Sequence, residues 1–155
     1  MRNFKESQNM VANWMLLIVL VIIGYNLYRV SPDYKAILEI TDLWIFLGLV
    51  VILWLIRLKT RYNKDGIQIV FIPFIWKKFI SWEDIGYAYV RSYSMMDFGG
   101  WGYRFGKKQG KAYTTKGDQG LQLVLKDGSM LMIGTQEPDE IQKILNQYKP
   151  YKDEF

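Results

Sequence analysis

The sequence predicts an α+β protein in which an N-terminal hairpin of two transmembrane helices precedes an antiparallel β domain with a C-terminal helix. Two apolar runs without a charged residue, at residues 14–25 and 43–56, predict the helices. After Arg57 the sequence changes to short β-branched and aromatic runs separated by turn residues, and these predict strands. Strands followed by a helix are typical of an α+β fold.

Each apolar run is long enough to approach the thickness of a bilayer. With their flanks, the helices are expected at about residues 11–28 and 42–58, and roughly 17 to 18 residues at ~1.5 Å each fall slightly short of the ~30 Å hydrocarbon core. Aromatic residues at both ends of a span suit the headgroup boundary. The expected interfacial anchors are Trp14, Tyr28, Trp44 and Trp54.

The basic residues beside the two runs predict an orientation. Six of these basic residues flank the start of the first run and the end of the second, which must lie on the same side of the membrane. Arg29 and Lys35 lie in the segment that connects the two runs. The positive-inside rule therefore predicts a plasma (inner) membrane protein with both termini in the cytoplasm. A cleaved signal peptide is one alternative for the first run, but no small-x-small site follows it and a second apolar run does. Buried helices of a soluble domain are the other alternative for both runs, but runs that are apolar on all faces favour lipid over a globular core.

Composition excludes several kinds of chemistry. The 155 residues include no Cys and no His, which removes disulfides, thiolate nucleophiles, the usual zinc sites and histidine acid–base catalysis. The formal charge is +5, and it is concentrated in residues 57–116, which hold twelve basic and four acidic side chains. No cofactor and no metal are expected.

Seven strands and one helix are expected after the hairpin. The helix begins at Pro138, carries Ile141, Ile144, Leu145 and Tyr148 on one face, and ends before Pro150. The resulting domains are a hairpin at 1–58, a β domain at 59–150 and a tail at 151–155. Residues 98–106 are interpreted as part of a long hairpin or a bulged strand. The strands are expected at residues 59–63, 67–76, 77–82, 85–93, 112–115, 121–125 and 130–133.

Several short motifs resemble the bacterial-type pleckstrin-homology-like (PH) domains that follow two membrane helices in small bacterial membrane proteins. The motifs are Asp65-Gly-Ile67, Ile80-Ser-Trp-Glu-Asp-Ile85, Tyr89-Val-Arg91, Phe98-Gly-Gly-Trp-Gly102, Gly120-Leu-Gln-Leu-Val-Leu-Lys-Asp-Gly128 and Ile133-Gly-Thr-Gln136. The resemblance implies a PH-like barrel or sandwich of about seven strands with a C-terminal helix. It implies no enzymatic activity, because such domains act more often as adaptors.

A basic and aromatic segment is the candidate site for a lipid surface or a partner. Aromatic rings interleaved with cations suit an anionic lipid interface, although a solvated charged loop explains the same pattern. Lys59 and Arg61 are interpreted as topology determinants. The candidate residues are Trp101, Tyr103, Arg104, Lys107, Lys108 and Lys111.

Other motifs do not carry chemistry. Residues 100–106 read G-x-G-x-x-x-G, one residue longer than the dinucleotide fingerprint, and no apolar helix follows. The pairs Glu83–Asp84 and Asp139–Glu140 are interpreted as a strand end and a helix N-terminus. Nucleic acid would suit basic and aromatic residues, but the expected anchor argues against it.

The expected function is a membrane-anchored, non-catalytic PH-like module for binding or scaffolding. Its partners would be the membrane and, in addition, a protein or further copies of itself, with no nucleic acid. The alternative is an accessory or regulatory subunit of a larger membrane complex, with contacts made through the hairpin. An autonomous enzyme is the third hypothesis.

Overall fold

The computed structural model describes residues 3–11, 13–30, 41–94, 96, 100–106 and 110–148, with residues 13, 14, 30 and 42 described by backbone only. Within these ranges the chain is α+β. The helices are α1 (Asn13–Val30), α2 (Thr41–Leu55) and α3 (Pro138–Tyr148). The strands are β1 (Phe4–Asn9), β2 (Arg57–Tyr62), β3 (Gly66–Ile72), β4 (Ile75–Ser81), β5 (Ile85–Ser92), β6 (Gly102–Gly106), β7 (Gly110–Thr114), β8 (Gln119–Leu125) and β9 (Met130–Gly134).

The chain forms two compact units. Helices α1 and α2 lie in a helical unit that comprises Asn9–Ile56. The residues up to Gln8 belong with the chain from Arg57 onward, and together they form the β unit.

The first sheet of the β unit has the order β1-β2-β3-β4. Strand β2 alternates strictly, because Leu58, Thr60 and Tyr62 are buried while the residues between them face outward. The buried residues lie opposite Phe71, Ile69 and Ile67 of β3. One face of this sheet is therefore core and the other is available to solvent.

Residues 67–76 are expected as one strand with an edge or a bulge at Pro73, but the run is divided, so the expectation of a single strand is wrong. The chain turns at Pro73 and Phe74, so that β3 ends at Ile72 and β4 begins at Ile75. Proline has no N–H to donate to a ladder, which favours this break. Beyond the turn, β4 carries an additional residue relative to β3 between Ile75 and Lys78, and it forms an edge of the sheet.

The second sheet has the order β5-β8-β9-β7-β6. The pair β7–β9 is parallel, and the other pairs are antiparallel. The hairpin expected from residues 121–125 and 130–133 is confirmed, with Leu121 opposite Ile133 and Leu123 opposite Leu131. All four of these side chains are buried.

Helix α3 packs against β5 and β8. It begins at Pro138 as expected, and Ile141, Ile144 and Leu145 are buried. The ring of Tyr148 stacks on Trp82, with 5.5 Å between centroids. The expected amphipathic helix is confirmed.

The expected seven-strand PH-like barrel is wrong. The described residues form nine strands in two sheets of four and five, and one strand pair is parallel. The two additional strands are β1 and β6. Strand β1 has the sequence FKESQN, which lacks the alternating apolar residues that predict a strand, and β6 lies within the segment interpreted as a hairpin or bulge.

The expected transmembrane hairpin is also wrong. Among the described residues, no helix combines the length and the apolar character that crossing a bilayer requires. Helix α2 has 15 residues, or about 22 Å, because the chain enters β2 at Arg57. Helix α1 has 18 residues, but its last part includes Asn26 and Arg29.

The expectations of location and orientation that depended on that hairpin are corrected with it. The inner-membrane location and the cytoplasmic placement of both termini rested on two spans, which the helices do not provide. Tyr28, Trp44 and Trp54, which were expected as interfacial anchors, are respectively 82%, 49% and 43% exposed. The side chain of Trp14 lies outside the described residues.

Candidate functional site

The sequence-predicted cluster lies on the hairpin of β6 and β7, and the register divides it between two faces. Tyr103 lies opposite Tyr113, Arg104 opposite Ala112, and Phe105 opposite Lys111. Because successive residues of a strand face opposite sides, Tyr103 and Lys111 share one face while Arg104 lies on the other. The hairpin therefore does not present these residues as a single patch.

The remaining predicted residues have separate positions. The indole Nε1 of Trp101 donates a hydrogen bond to the carbonyl oxygen of Gly117 (3.2 Å), and Arg104 Nε donates to the carbonyl oxygen of Trp101 (3.3 Å). Arg104 thus holds the segment before β6. Lys107 and Lys108 lie outside the described residues.

An aromatic cluster connects the hairpin to the first sheet. Tyr103 stacks on Tyr113, with 5.4 Å between ring centroids, and also on Phe74, at 6.1 Å. Tyr113 is buried and lies 6.1 Å from Phe71 of β3. These contacts join β3 and the β3–β4 turn to β6 and β7, and a cavity lies close to the cluster.

This cavity, here named the lysine pocket, has a volume of about 420 Å³. Lys78 enters it from β4 and Lys111 from β7. Lys78 Nζ lies 5.9 Å from the ring centroid of Tyr113, and Lys111 Nζ lies 5.7 Å from that of Phe105. The lining residues are Lys78, Phe105, Gly106, Gly110, Lys111, Leu125, Gly128, Ser129, Met130 and Leu131.

The two ammonium groups of the lysine pocket repel each other. Burial lowers the pKa of Lys78, the charge of Lys111 lowers it further, and Asp127 opposes both effects. Asp127 lies in the β8–β9 turn, where its carboxylate accepts a hydrogen bond from the backbone N–H of Ser129 (2.8 Å). Hydrogen bonds from Ser129 lower the pKa of Asp127, and Lys78 lowers it as well. The carboxylate of Asp127 thus partly offsets the charge of Lys78.

The outward surface of the first sheet is the second candidate. Arg57, Lys59 and Arg61 of β2 point away from the core, as does the half-exposed Phe79 of β4, and Lys77 is exposed beside it. We name this surface the basic face and define it by these five residues. Within the described part of the chain, no carboxylate forms a salt bridge with Lys59, Arg61 or Lys77.

The strands of the first sheet carry far more basic than acidic side chains. Its four strands hold six Lys or Arg residues and one acidic residue, Glu6, which is buried on the opposite side. Trp76, also on β4, is 79% exposed. The sequence singles out Lys59 and Arg61 but does not predict the basic face, because strand alternation alone does not identify which cations of different strands lie on the same face.

Strand β1 contributes a buried polar network. The carboxylate of Glu6 accepts hydrogen bonds from Thr135 Oγ1 (2.8 Å), the backbone N–H of Gln136 (2.7 Å) and Gln8 Nε2 (2.9 Å). Thr115 Oγ1 donates to Gln8 Oε1 (2.7 Å). Because these hydrogen bonds occupy both carboxylate oxygens, the network fixes the strand in place and does not resemble an open acid–base site.

Burial raises the pKa of Glu6, and the nearby charge of Glu137 contributes in the same direction, whereas the hydrogen bonds from Gln136, Thr135 and Gln8 lower it. Tyr62, fully buried on the neighbouring strand, also has a raised pKa, chiefly because of burial and secondarily because of Glu6. In the described residues, no group of three or more Asp or Glu side chains is arranged to hold a metal ion.

Comparisons of this chain with protein-family models, with curated proteins and with solved structures find no match. The expected membership of the PH-like family is therefore wrong by this criterion as well as by strand topology.

Proposed function

We propose that this chain is a non-catalytic binding module that docks an acidic surface of a partner protein on its basic face. The observation that carries the proposal is the coincidence of outward cations on β2 with exposed aromatic side chains on β4. Aromatic and arginine side chains are enriched where proteins meet. Complementary charge selects the partner and accelerates the encounter.

The occupant is inferred from charge. The outward side of the first sheet offers cations and aromatic rings. The one acidic residue in the strands of this sheet, Glu6, faces inward. An acidic partner removes the repulsion among Lys59, Arg61 and Lys77, whereas a basic partner would increase it. The aromatic surface of Phe79 and Trp76 supplies the apolar contact that an interface core requires.

Zero-length carbodiimide crosslinking tests this proposal directly, because it joins lysine amines only to carboxylates in contact with them. The full-length chain would be crosslinked in extracts of its source cells, and the linked peptides identified by mass spectrometry. We expect Lys59 or Lys77 to be joined to Asp or Glu of one recurring protein. Links to a second copy of this chain, or no links at these lysines, would overturn the proposal.

A pair of charge-matched variants provides the control. Lys59→Glu with Arg61→Glu changes the formal charge by about −4, as does Lys126→Glu with Lys143→Glu, where the residues lie on the β8–β9 turn and on α3. We expect the first variant to lose the crosslinks at Lys77 and the second to keep them. Equal loss in both would indicate a general effect of charge and would contradict the proposal.

One observation favours a second candidate, an accessory subunit whose helical unit makes the contacts. Helix α2 exposes large apolar side chains around its circumference, among them Ile45 (66%) and Ile52 (59%), and α1 exposes Leu17 (63%) and Val21 (71%). A helix that is apolar on all sides is normally covered. In this reading the occupant is an apolar helix of another subunit, which suits a surface without charge.

Replacing residues 13–55 with an unrelated helical hairpin separates the two candidates. If the basic face makes the contact, the crosslinks at Lys59 and Lys77 persist in the chimera. If the helical unit makes it, those crosslinks disappear together with association of the partner.

A further inference from the structure

Two lysines of the β unit, Lys78 and Lys111, lie outside the basic face. Lys78 follows Lys77 on β4, but it lies opposite the buried Ile69 and enters the lysine pocket. Lys111 reaches the same cavity from β7. The fold thus brings two cations from different sheets to one open cavity.

The lysine pocket also has an apolar wall. Leu125, Met130 and Leu131 line it, and the ring of Phe105 lies under the ammonium of Lys111. A volume of about 420 Å³ fits a small organic molecule. A bare inorganic ion would leave most of this wall without a partner.

Two of the glycines that line the cavity have positive φ angles. Gly110 has φ 74°, and a Cβ at this position would collide with the carbonyl oxygen of Met130. Gly128, with φ 82°, makes the β8–β9 turn that carries Ser129. Backbone in these conformations comes close to the cavity without side chains to fill it.

We propose that the lysine pocket binds a small phosphate monoester with an aromatic or aliphatic body. Lys78 and Lys111 face the phosphate from two sides, and the wall formed by Phe105, Leu125 and Met130 receives the body. Two point charges suit a phosphate group, which carries about −1.5 to −2 at neutral pH. Asp127 at the β8–β9 turn offsets only one of the two positive charges. The site therefore keeps a net positive charge and prefers this anion over a neutral analogue. The proposal goes beyond partner docking and does not depend on it.

Isothermal titration of the full-length chain with phenyl phosphate, benzoate and inorganic phosphate tests the proposal. These probes separate the contributions of body and charge, because benzoate keeps the ring with a single charge and inorganic phosphate lacks the ring. We expect phenyl phosphate to bind at least about tenfold more tightly than either of the others, a factor that corresponds to about 1.4 kcal/mol. Absence of binding, or equal affinity for inorganic phosphate, would overturn the assignment.

Variants locate the binding within the cavity. Lys78→Met and Lys111→Met retain an apolar stem while removing the charge, and each is expected to weaken phenyl phosphate binding at least about tenfold. Lys78→Arg keeps the charge and should retain most of the affinity. Lys126 is an exposed residue of the β8–β9 turn, and Lys126→Met should bind phenyl phosphate as tightly as the unmodified chain does. Unchanged affinity in both lysine-to-methionine variants would contradict the proposal.

The two proposals fail separately. Lys78→Met should leave the crosslinks of Lys59 and Lys77 intact, and Lys59→Glu with Arg61→Glu should leave phenyl phosphate binding intact. Loss of phosphate binding in the Lys59→Glu, Arg61→Glu variant would place the anion outside the lysine pocket and would overturn the inference.

Discussion

Gln8 Nε2 donates a hydrogen bond of 2.8 Å to the carbonyl oxygen of Gly134, 126 positions later in the chain. This contact joins the strand that precedes α1 to the end of β9. Thr115 and Glu6 extend it into a buried network. Buried polar groups that are mutually satisfied specify one arrangement, because any slip of β1 would leave several of them without partners.

Removal of the Glu6 carboxylate should destabilise the β unit strongly. Glu6→Ala leaves the donors of Thr135, Gln136 and Gln8 without their acceptor in a buried site, at a cost of about 2 to 4 kcal/mol in the free energy of unfolding. Urea denaturation of the full-length chain measures this quantity. Lys5→Ala, on the exposed side of the same strand, should change it by less than about 0.5 kcal/mol. Similar effects for both variants would contradict the role of the network.

The same carboxylate predicts a pH dependence. Burial raises the folded-state pKa of Glu6 above its ordinary value of 4.5, so the folded chain holds the proton more tightly than the unfolded chain. The stabilisation that depends on the protonated form of Glu6 is therefore fully present below pH 4.5 and is lost as the pH rises through the folded pKa. Relative to Glu6→Gln, which does not titrate, the unfolding free energy should fall across this window and level off above it. A rise across the window would contradict the assignment.

Two glycines with positive φ should differ in their tolerance of alanine. Gly128 lies in open space, so Gly128→Ala costs only the backbone strain, about 1 to 2 kcal/mol. Gly110→Ala adds a collision with the carbonyl oxygen of Met130 and should cost at least about 1 kcal/mol more. Thermal and urea unfolding of the two variants compare them. Equal losses would show that β7 and β9 can separate enough to accept a methyl group.

Helix α3 should stabilise the β unit through its buried face. Ile144→Ala removes a fully buried side chain, at an expected cost of about 2 to 5 kcal/mol in unfolding free energy. Gln142→Ala, an exposed position of the same helix, should be within about 0.5 kcal/mol of the unmodified chain. If Ile144→Ala were equally mild, α3 would not be part of the core.

Local patterns predicted the elements whose own residues define them. The β8–β9 hairpin has a Lys126-Asp-Gly128 turn between alternating runs, and α3 has a proline start and a helical apolar face. Strand β1 gave no such signal, because its inward residues, Glu6 and Gln8, are polar, and apart from their bond to each other they are satisfied by partners more than 100 positions away.

The candidate sites depended on register and tertiary contact. Arg104 and Lys111 were grouped because they are close in the sequence, but the pairing of Phe105 with Lys111 places Arg104 on the opposite face. The neighbour of Lys111 in the lysine pocket is Lys78, which belongs to another sheet. Apolar runs predicted where α1 and α2 occur, but they did not show that β2 would begin at Arg57 and shorten the second helix.

The affinity of the crosslinked partner for the full-length chain, measured by titration calorimetry, tests the central claim most directly. The account predicts that Lys59→Glu with Arg61→Glu weakens binding at least about tenfold, or about 1.4 kcal/mol, while Lys126→Glu with Lys143→Glu leaves it within about twofold. Equal affinity of the unmodified chain and the Lys59→Glu, Arg61→Glu variant would contradict docking on the basic face.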